Sequence, residues 1–526
     1  MNRPSIAVFA ILVFSYPCVA QEQWFAESET CALCHSASPN ATAMWNATGD
    51  DVSPFGLWRA TMMANSFRDP YWRAQVSKEV AANPEHRAKI EGLCLTCHGP
   101  AAHHQARLDG VESPGVIGSE HDAYAIDGVT CTVCHQANPD NLGKDESFSG
   151  NLDIRKDKRI YGPFEDPFFQ PMRMHTGFVA THGAHIRDPG LCGSCHTLFT
   201  SHVEGADPYP EQTPFLEWRN SVFSTDAGRT EESRTCQECH MAEQAPTRIA
   251  HNPRGLDFNI PARSPYRAHA FVGGNAFMLD LLESNADELG VEATSEELAR
   301  MARATRLQLS HRTATLKVTD ARTEDGELSF GVRVTNLTGH KFPTGYPARR
   351  AWVHVSVRSG RDTVFESGAF DTEGRLYGID EPRRLPHFTR IDSEDQVQVY
   401  EIVPADQHGE PTTYLTRMAK NVKDNRLLPR GYRHDGPHVE STAPVGVEDD
   451  ADFVGGGDVV RYRVALPAER EGRVVVVAWL HYQSIPPAWV DPLREVDTDE
   501  ARRFVEMYDA ANHEPETVAV DVVAVD

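Results

Sequence analysis

The chain has 526 residues, enough for two or three ordinary domains, each with a core of its own. Its 76 Asp and Glu against 51 Lys and Arg give a formal charge of -25, which argues against nucleic-acid binding and favours basic docking partners. A basic start at Arg3, an apolar run from Ile6 to Phe14 and small residues at Cys18, Val19 and Ala20 predict a signal peptide over residues 1–20. The run is broken by Ser15, Tyr16 and Pro17, too short for the roughly 20 apolar residues of a membrane anchor. No later stretch is long enough to span a bilayer, so the mature chain is expected in the periplasm or outside the cell.

Eleven cysteines in an exported chain would ordinarily announce a disulfide framework. Their positions say otherwise. With Cys18 set aside in the signal peptide, the other ten fall into five copies of Cys-x-x-Cys-His: Cys31, Cys34 and His35; Cys94, Cys97 and His98; Cys131, Cys134 and His135; Cys192, Cys195 and His196; Cys236, Cys239 and His240. Two thiols at this spacing reach the two vinyl groups of one haem, and the next imidazole lies under its iron. A redox dithiol would not require the histidine, and zinc sites would pair the motifs at more regular distances. The expectation is five covalently attached c-type haems.

Each iron has a second axial position, to be filled from the 19 histidines that remain of 24 once the five proximal ones are taken. His269 lies in Arg267-Ala-His-Ala-Phe-Val-Gly-Gly-Asn275, where glycines let backbone approach a flat cofactor. His340 lies in a turn-rich loop, Asn336-Leu-Thr-Gly-His-Lys-Phe-Pro-Thr-Gly345, with Lys341, Arg349 and Arg350 available for propionates. His121 and His185 precede the third and fourth motifs, and the His103–His104 pair follows the second, with His104 taken as its ligand. His175, His182 and His202 stand in reserve. Met62 and Met63 could furnish a His/Met haem, although methionines near Trp58 and Phe67 more often pack a core.

Along the chain, residues 21–275 hold all five motifs in a loop-rich stretch, with brief helices expected at Trp58–Asn65 and Tyr71–Ala82. Residues 276–311 read as connecting helices, the second opened by a capping box at Thr294 and Glu297. Residues 312–526 alternate with period two, and seven runs read as strands: Thr315–Val318, Leu328–Thr335, Trp352–Arg358, Val397–Ile402, Val459–Val464, Val474–Leu480 and Val518–Val523. The fold class is therefore α+β: a multihaem cytochrome c domain followed by an antiparallel β-sandwich.

Phrases such as Glu91-Gly-Leu-Cys-Leu-Thr-Cys-His-Gly-Pro100, Gly128-Val-Thr-Cys-Thr-Val-Cys-His-Gln136 and Thr235-Cys-Gln-Glu-Cys-His-Met241 resemble the cytochrome c-552/c-554 superfamily. That group includes the tetrahaem cytochrome of hydroxylamine oxidation and, more distantly, pentahaem nitrite reductase and octahaem hydroxylamine oxidoreductase. Trp58-Arg-Ala-Thr-Met-Met-Ala64, Glu217-Trp-Arg-Asn-Ser221 and Lys423-Asp-Asn-Arg-Leu-Leu-Pro429 look like a branch with a C-terminal β domain. The resemblance implies closely packed haems that carry electrons between other redox proteins. Such nitrite reductases usually carry Cys-x-x-Cys-Lys, which this chain lacks. The alternative reading is an oxidoreductase with one open haem, acting on a small nitrogen or sulfur species or on peroxide, with Tyr161, Arg173, His175 and His182 as pocket groups.

Overall fold

In the computed structural model the described residues are 22–201, 205, 207–377, 385–469 and 472–525. The expected signal peptide and His202 lie outside them. The chain is α+β. Up to residue 275 it runs through short helices, of which Pro54–Trp58, Pro70–Ala82, Pro100–Asp109, Pro189–Gly193 and Pro214–Arg219 each begin at a proline. Proline suits that place because its fixed φ is helical and its missing N–H would be unpaired there anyway. The helix expected over Trp58–Asn65 instead stops at Trp58. Beyond it, Thr61 Oγ1 donates to the Trp58 carbonyl at 2.7 Å and Asn65 Nδ2 to that of Thr61 at 2.9 Å, so side chains hold carbonyls and the chain continues in turns.

The connecting segment forms helices Ala276–Ser284, Ala286–Leu289 and Ser295–Arg312, the last with its Thr294/Glu297 capping box in place. Beyond it two sheets face each other. One places strand Gly457–Ala465 beside Glu327–Asn336 and that beside Ala314–Glu324. The other places Arg350–Ser359 between Asp362–Ser367 and Val474–Gln483, with Glu516–Val525 outermost. Phe330, Val332, Val334, Val460 and Tyr462 from the first meet Val353, Val355, Val476, Ala478 and Val518 from the second in one apolar core. The run expected over Val397–Ile402 is split into Val399–Tyr400 and Ile402–Ala405, which pair with different strands. Within these two sheets one pairing, Arg390–Ile391 with Arg461–Tyr462, is parallel.

The motif-bearing region and the C-terminal stretch are packed together. Helix Asp499–Ala510 returns to helix Pro70–Ala82 through Phe504, Met507 and Tyr508, which cluster with Tyr71, Ala74 and Met278. A buried ionic cluster forms a second joint. Glu217, on helix Pro214–Arg219, pairs with Arg426 at 3.0 Å, Arg426 with Asp424 at 2.8 Å, and Asp424 with Lys341 at 2.7 Å. The four side chains are at most 5% exposed. Two cations and two anions balance, which is the condition for burying such groups.

Candidate haem-binding site

Each motif is wound into a helical turn that ends near its histidine. Ser28–His35, Arg87–His98, Cys131–Gln136 and Cys236–His240 carry four of them, and the fourth in sequence follows Pro189–Gly193 with His196 N–H donating to the Cys192 carbonyl at 2.9 Å. Helical winding brings the two thiols and the imidazole to one side. Before the third motif Gly128 turns the chain at φ +61, where a Cβ would sit 2.6 Å from the Ala64 carbonyl.

All ten cysteines and all five histidines line one cavity of about 1330 Å³. That exceeds the roughly 300–1,000 Å³ of ordinary ligand pockets. Thiols from different motifs come near one another across it, close enough for their charges to interact: Cys31 with Cys131, Cys97 with Cys195, and Cys192 with Cys236. Cys134 is close enough to Cys192 for their charges to interact. The motifs thus form a connected path, first to third to fourth, with the second and fifth joined to the fourth.

The thiols do not suit the rival chemistries. All ten described cysteines are unbridged. Burial raises the pKa of Cys34 and Cys94 and pushes Cys134 up to about 12, opposite to what a zinc thiolate needs, whereas neighbouring groups lower those of Cys97 and Cys131. Among the described residues no cysteine joins a cluster close enough to hold one metal ion; the cluster that does is His387, Asp450 and Asp458. Even there, His387 Nδ1 accepts from Gln398 Nε2 at 2.7 Å and Asn425 Nδ2 at 3.1 Å, so its Nε2 carries the proton donated to Asp450 at 2.9 Å. Both amides are oriented by backbone N–H groups of Phe388 and Glu401, which rules out the flip that would free Nε2 for a cation.

The motif imidazoles are prepared as ligands. Nδ1 donates to a backbone carbonyl in His35 (Ile249, 2.7 Å), His98 (Ser66, 3.0 Å), His135 (Tyr161, 2.6 Å) and His240 (Val272, 2.7 Å). A carbonyl only accepts, so Nδ1 holds the hydrogen and Nε2 keeps its lone pair. Burial pushes the pKa of His98 down to about 4, which keeps the ring neutral.

Two further imidazoles face motif histidines. The rings of His135 and His269 lie 6.3 Å apart at 18°, and those of His240 and His340 lie 6.3 Å apart at 13°. Two metal–nitrogen bonds of about 2 Å, with about 1.1 Å from each nitrogen to its ring centre, add to about 6 Å. His269 Nδ1 donates to the Arg267 carbonyl at 3.1 Å and His340 Nδ1 to that of Lys341 at 2.9 Å, again leaving Nε2 open. Burial lowers both rings' pKa, that of His269 to about 3.

The other expected ligands are placed differently. His121 is exposed and away from the cavity. His185 uses Nε2 to donate to the Ala137 carbonyl at 2.9 Å and lies edge-on to Tyr161. His104 is buried against Phe25, with Nδ1 accepting from Arg107 Nε at 3.3 Å and Nε2 buried without a partner, but it does not line the cavity. His103 bonds Ser113 through Nδ1. His182 is exposed, as is His175 at the cavity's rim. Met62 packs among apolar side chains. Tyr161, proposed above as a pocket group, spends its hydroxyl on Asn138 Oδ1 at 3.0 Å, and Arg173 is exposed. A residue that sequence reasoning passed over also faces the cavity: His251, 4% exposed, donates through Nδ1 to the Asn252 carbonyl at 2.7 Å and leaves Nε2 buried without a partner beside the first motif. Its only sequence signal is its place shortly after the fifth motif.

Comparison with solved structures finds the penta-heme cytochrome c552 of Thermochromatium tepidum, with a TM-score of 0.51 over 95% of this chain and 98% of that one, at 16% identity. The chain has a multihaem cytochrome fold. No family model and no curated protein matches it. At that identity the likeness speaks for the fold and for nothing finer. No helix among the described residues is long and apolar enough to cross a membrane.

Proposed function

We propose that the chain holds five c-type haems on its five motifs and passes electrons between redox partners outside the cytoplasm. The observation that carries this reading is that ten thiols and five imidazoles, four of them tautomer-fixed, spread over two hundred residues of sequence, line one connected cavity. Bound there, the haems supply one-electron redox chemistry. The chain's own part is to hold them close, order them through the thiol contacts, and fix axial ligands by hydrogen bonds from Nδ1. His269 and His340 would help His135 and His240 hold two of the haems.

In this reading residues 21–275 are the pentahaem domain, 276–311 connecting helices and 312–526 a β-sandwich that lends His340 to the fifth site. The test is the mass and spectrum of the purified protein. Five added haem masses with low-spin features support the reading; cysteines joined to one another, or fewer haems, would overturn it.

A further inference from the structure

Helix Pro70–Ala82 turns one row of side chains toward the second motif. Tyr71, Gln75 and Glu79 follow at four-residue spacing, which stacks them on one helix face, and all three line the cavity along with Cys94, Cys97 and His98. Gln75, 3% exposed, donates through Nε2 to the Tyr71 hydroxyl at 2.9 Å and leaves Oε1 buried without a partner. Glu211, on strand Tyr209–Gln212, lines the cavity as well. Glu79 and Glu211 are both close enough to Cys94 for their charges to act on its sulfur, and Glu211 acts on Cys97 too.

The two carboxyl groups are held differently. Glu79 Oε1 accepts from Leu415 N–H at 2.7 Å, and Oε2 accepts from Thr416 N–H at 3.3 Å and Thr416 Oγ1 at 2.6 Å, with the Lys78 charge beside them. Those donors favour its charged form. Glu211 is 4% exposed and accepts from Thr200 Oγ1 at 2.5 Å and Gln212 Nε2 at 3.2 Å. Among the described residues no lysine or arginine pairs with it. Burial, helped by the like charge of Glu79, pushes its pKa up to about 7. The titratable groups that face it are Glu79 from the helix, Tyr209 on its own strand, Tyr346, and the two thiols; the Tyr346 ring meets Tyr71 edge-on at 5.8 Å. The cations beyond them are held elsewhere, Lys78 Nζ on Thr413 at 2.9 Å and Arg426 on Asp424 and Glu217.

A buried carboxyl without a cation is costly as an anion and tolerable as an acid. A haem core bears net positive charge when its iron is ferric and none when it is ferrous, so the electron on such a neighbour decides which form of the carboxyl is favoured.

We propose that Glu211 is a redox-linked proton site, taking a proton from solvent when an electron reaches the haem on Cys94 and Cys97 and releasing it when the electron leaves. The proposal rests on the pentahaem carrier reading above. One electron from a one-electron redox protein takes iron(III) to iron(II), and one proton takes the Glu211 carboxylate to the acid, so the interior gains no net charge. Glu79 keeps its charge throughout, and the unpartnered Gln75 Oε1 offers an acceptor to a water on the way in.

The test is a spectroelectrochemical titration of the full holoprotein at a series of pH values. In the parent, one haem potential should fall as pH rises around 7, by up to a tenfold change in its reduction equilibrium per pH unit, or about 59 mV for one electron. Glu211→Gln should cut that slope to under about a third. Thr200→Val removes a donor to the carboxylate and should move the slope to higher pH, which a merely structural residue would not do. Redox-triggered infrared difference spectra of the parent should show a protonated-carboxyl band rising on reduction, shifted in D2O and missing from Glu211→Gln. A slope and band that survive Glu211→Gln in a variant with five haems would sink the proton site and leave the carrier standing. If Glu211→Gln loses haems, an unmoved slope in Thr200→Val does the same; a parent protein without five haem masses would sink both.

Discussion

Replacing Glu217 by glutamine tests whether the joint between the motif-bearing region and the sheets is held by compensated charge. Glu217 Oε2 accepts from Lys341 N–H at 3.0 Å and Thr344 Oγ1 at 2.6 Å, while Oε1 meets Arg426 Nη1 at 3.0 Å and Thr213 Oγ1 at 3.1 Å. A carboxamide has the same shape but one acceptor oxygen. If that oxygen serves Lys341 and Thr344, the amide NH2 faces the Arg426 guanidinium and the Thr213 hydroxyl. Removing one partner of a buried pair costs about 3–5 kcal/mol. Arg426 keeps its two-pronged contact with Asp424 at 2.8 Å, so the lower end, about 3 kcal/mol, is expected. Guanidinium unfolding of the holoprotein, followed by circular dichroism, should show a lower midpoint with an unchanged slope. The Glu217→Gln/Arg426→Met pair should cost less than the sum of its single changes, because the second removes the cation that the first strands. A loss under about 1 kcal/mol for Glu217→Gln, or simple additivity in the cycle, would refute the reasoning. The same change has a local consequence: the Lys341 residue whose N–H is held by Glu217 also presents the carbonyl that receives His340 Nδ1, so the Soret and low-spin features of one haem should broaden.

His269→Ala and His340→Ala should each convert one haem of five to a high-spin form that binds carbon monoxide when reduced; electron paramagnetic resonance reads this, and an unchanged spectrum would remove that residue as a ligand. Asp458, buried beside Tyr400 and His387, is held above the ordinary aspartate range by burial, so between the unfolded and folded pKa values the native chain carries a proton that the unfolded chain has lost. Its contribution to stability should therefore fall as pH rises through that window, and Asp458→Asn should reduce the slope in urea titrations at a series of pH values, leaving the part that Asp69, Asp127 and Glu211, also raised by burial, contribute. Gly193→Ala would place a Cβ 2.6 Å from the Phe215 ring, a clash with an expected cost of about 1–3 kcal/mol read from the melting temperature.

The covalent half of the site was legible because its chemistry is local. Two thioethers and a proximal imidazole must come from five consecutive residues, so spacing alone reveals them. Axial ligands on the far side carry no such constraint. His269 reaches His135 across more than a hundred residues of chain, and His340 reaches His240 from beyond the connecting helices. Glycine-rich surroundings mark both loops, yet closeness in sequence to a motif was a poor guide elsewhere: His121 precedes the third motif and stays exposed, while His185 precedes the fourth and spends Nε2 on a carbonyl.

The sheets show the same division. Strands buried on one face, such as Glu327–Asn336, alternate visibly with period two; short pieces such as Arg390–Ile391 are defined by the partner they meet and carry no period. Burial explains the least legible feature of all. Lys341 reads in the sequence as a propionate partner and Asp424, Arg426 and Glu217 carry no sign of burial; Lys341 is instead buried on Asp424, and the four become a joint only when helix Pro214–Arg219, the His340 loop and the end of strand Lys420–Asp424 come together. Because each charge is tolerable there only in the presence of the others, the cluster favours one docking of the sheets on the motif-bearing region over alternatives that would strand a charge. The placement of His340 opposite His240 then follows from that docking, since a loop free of it would have nothing to hold its imidazole at a ligand's distance.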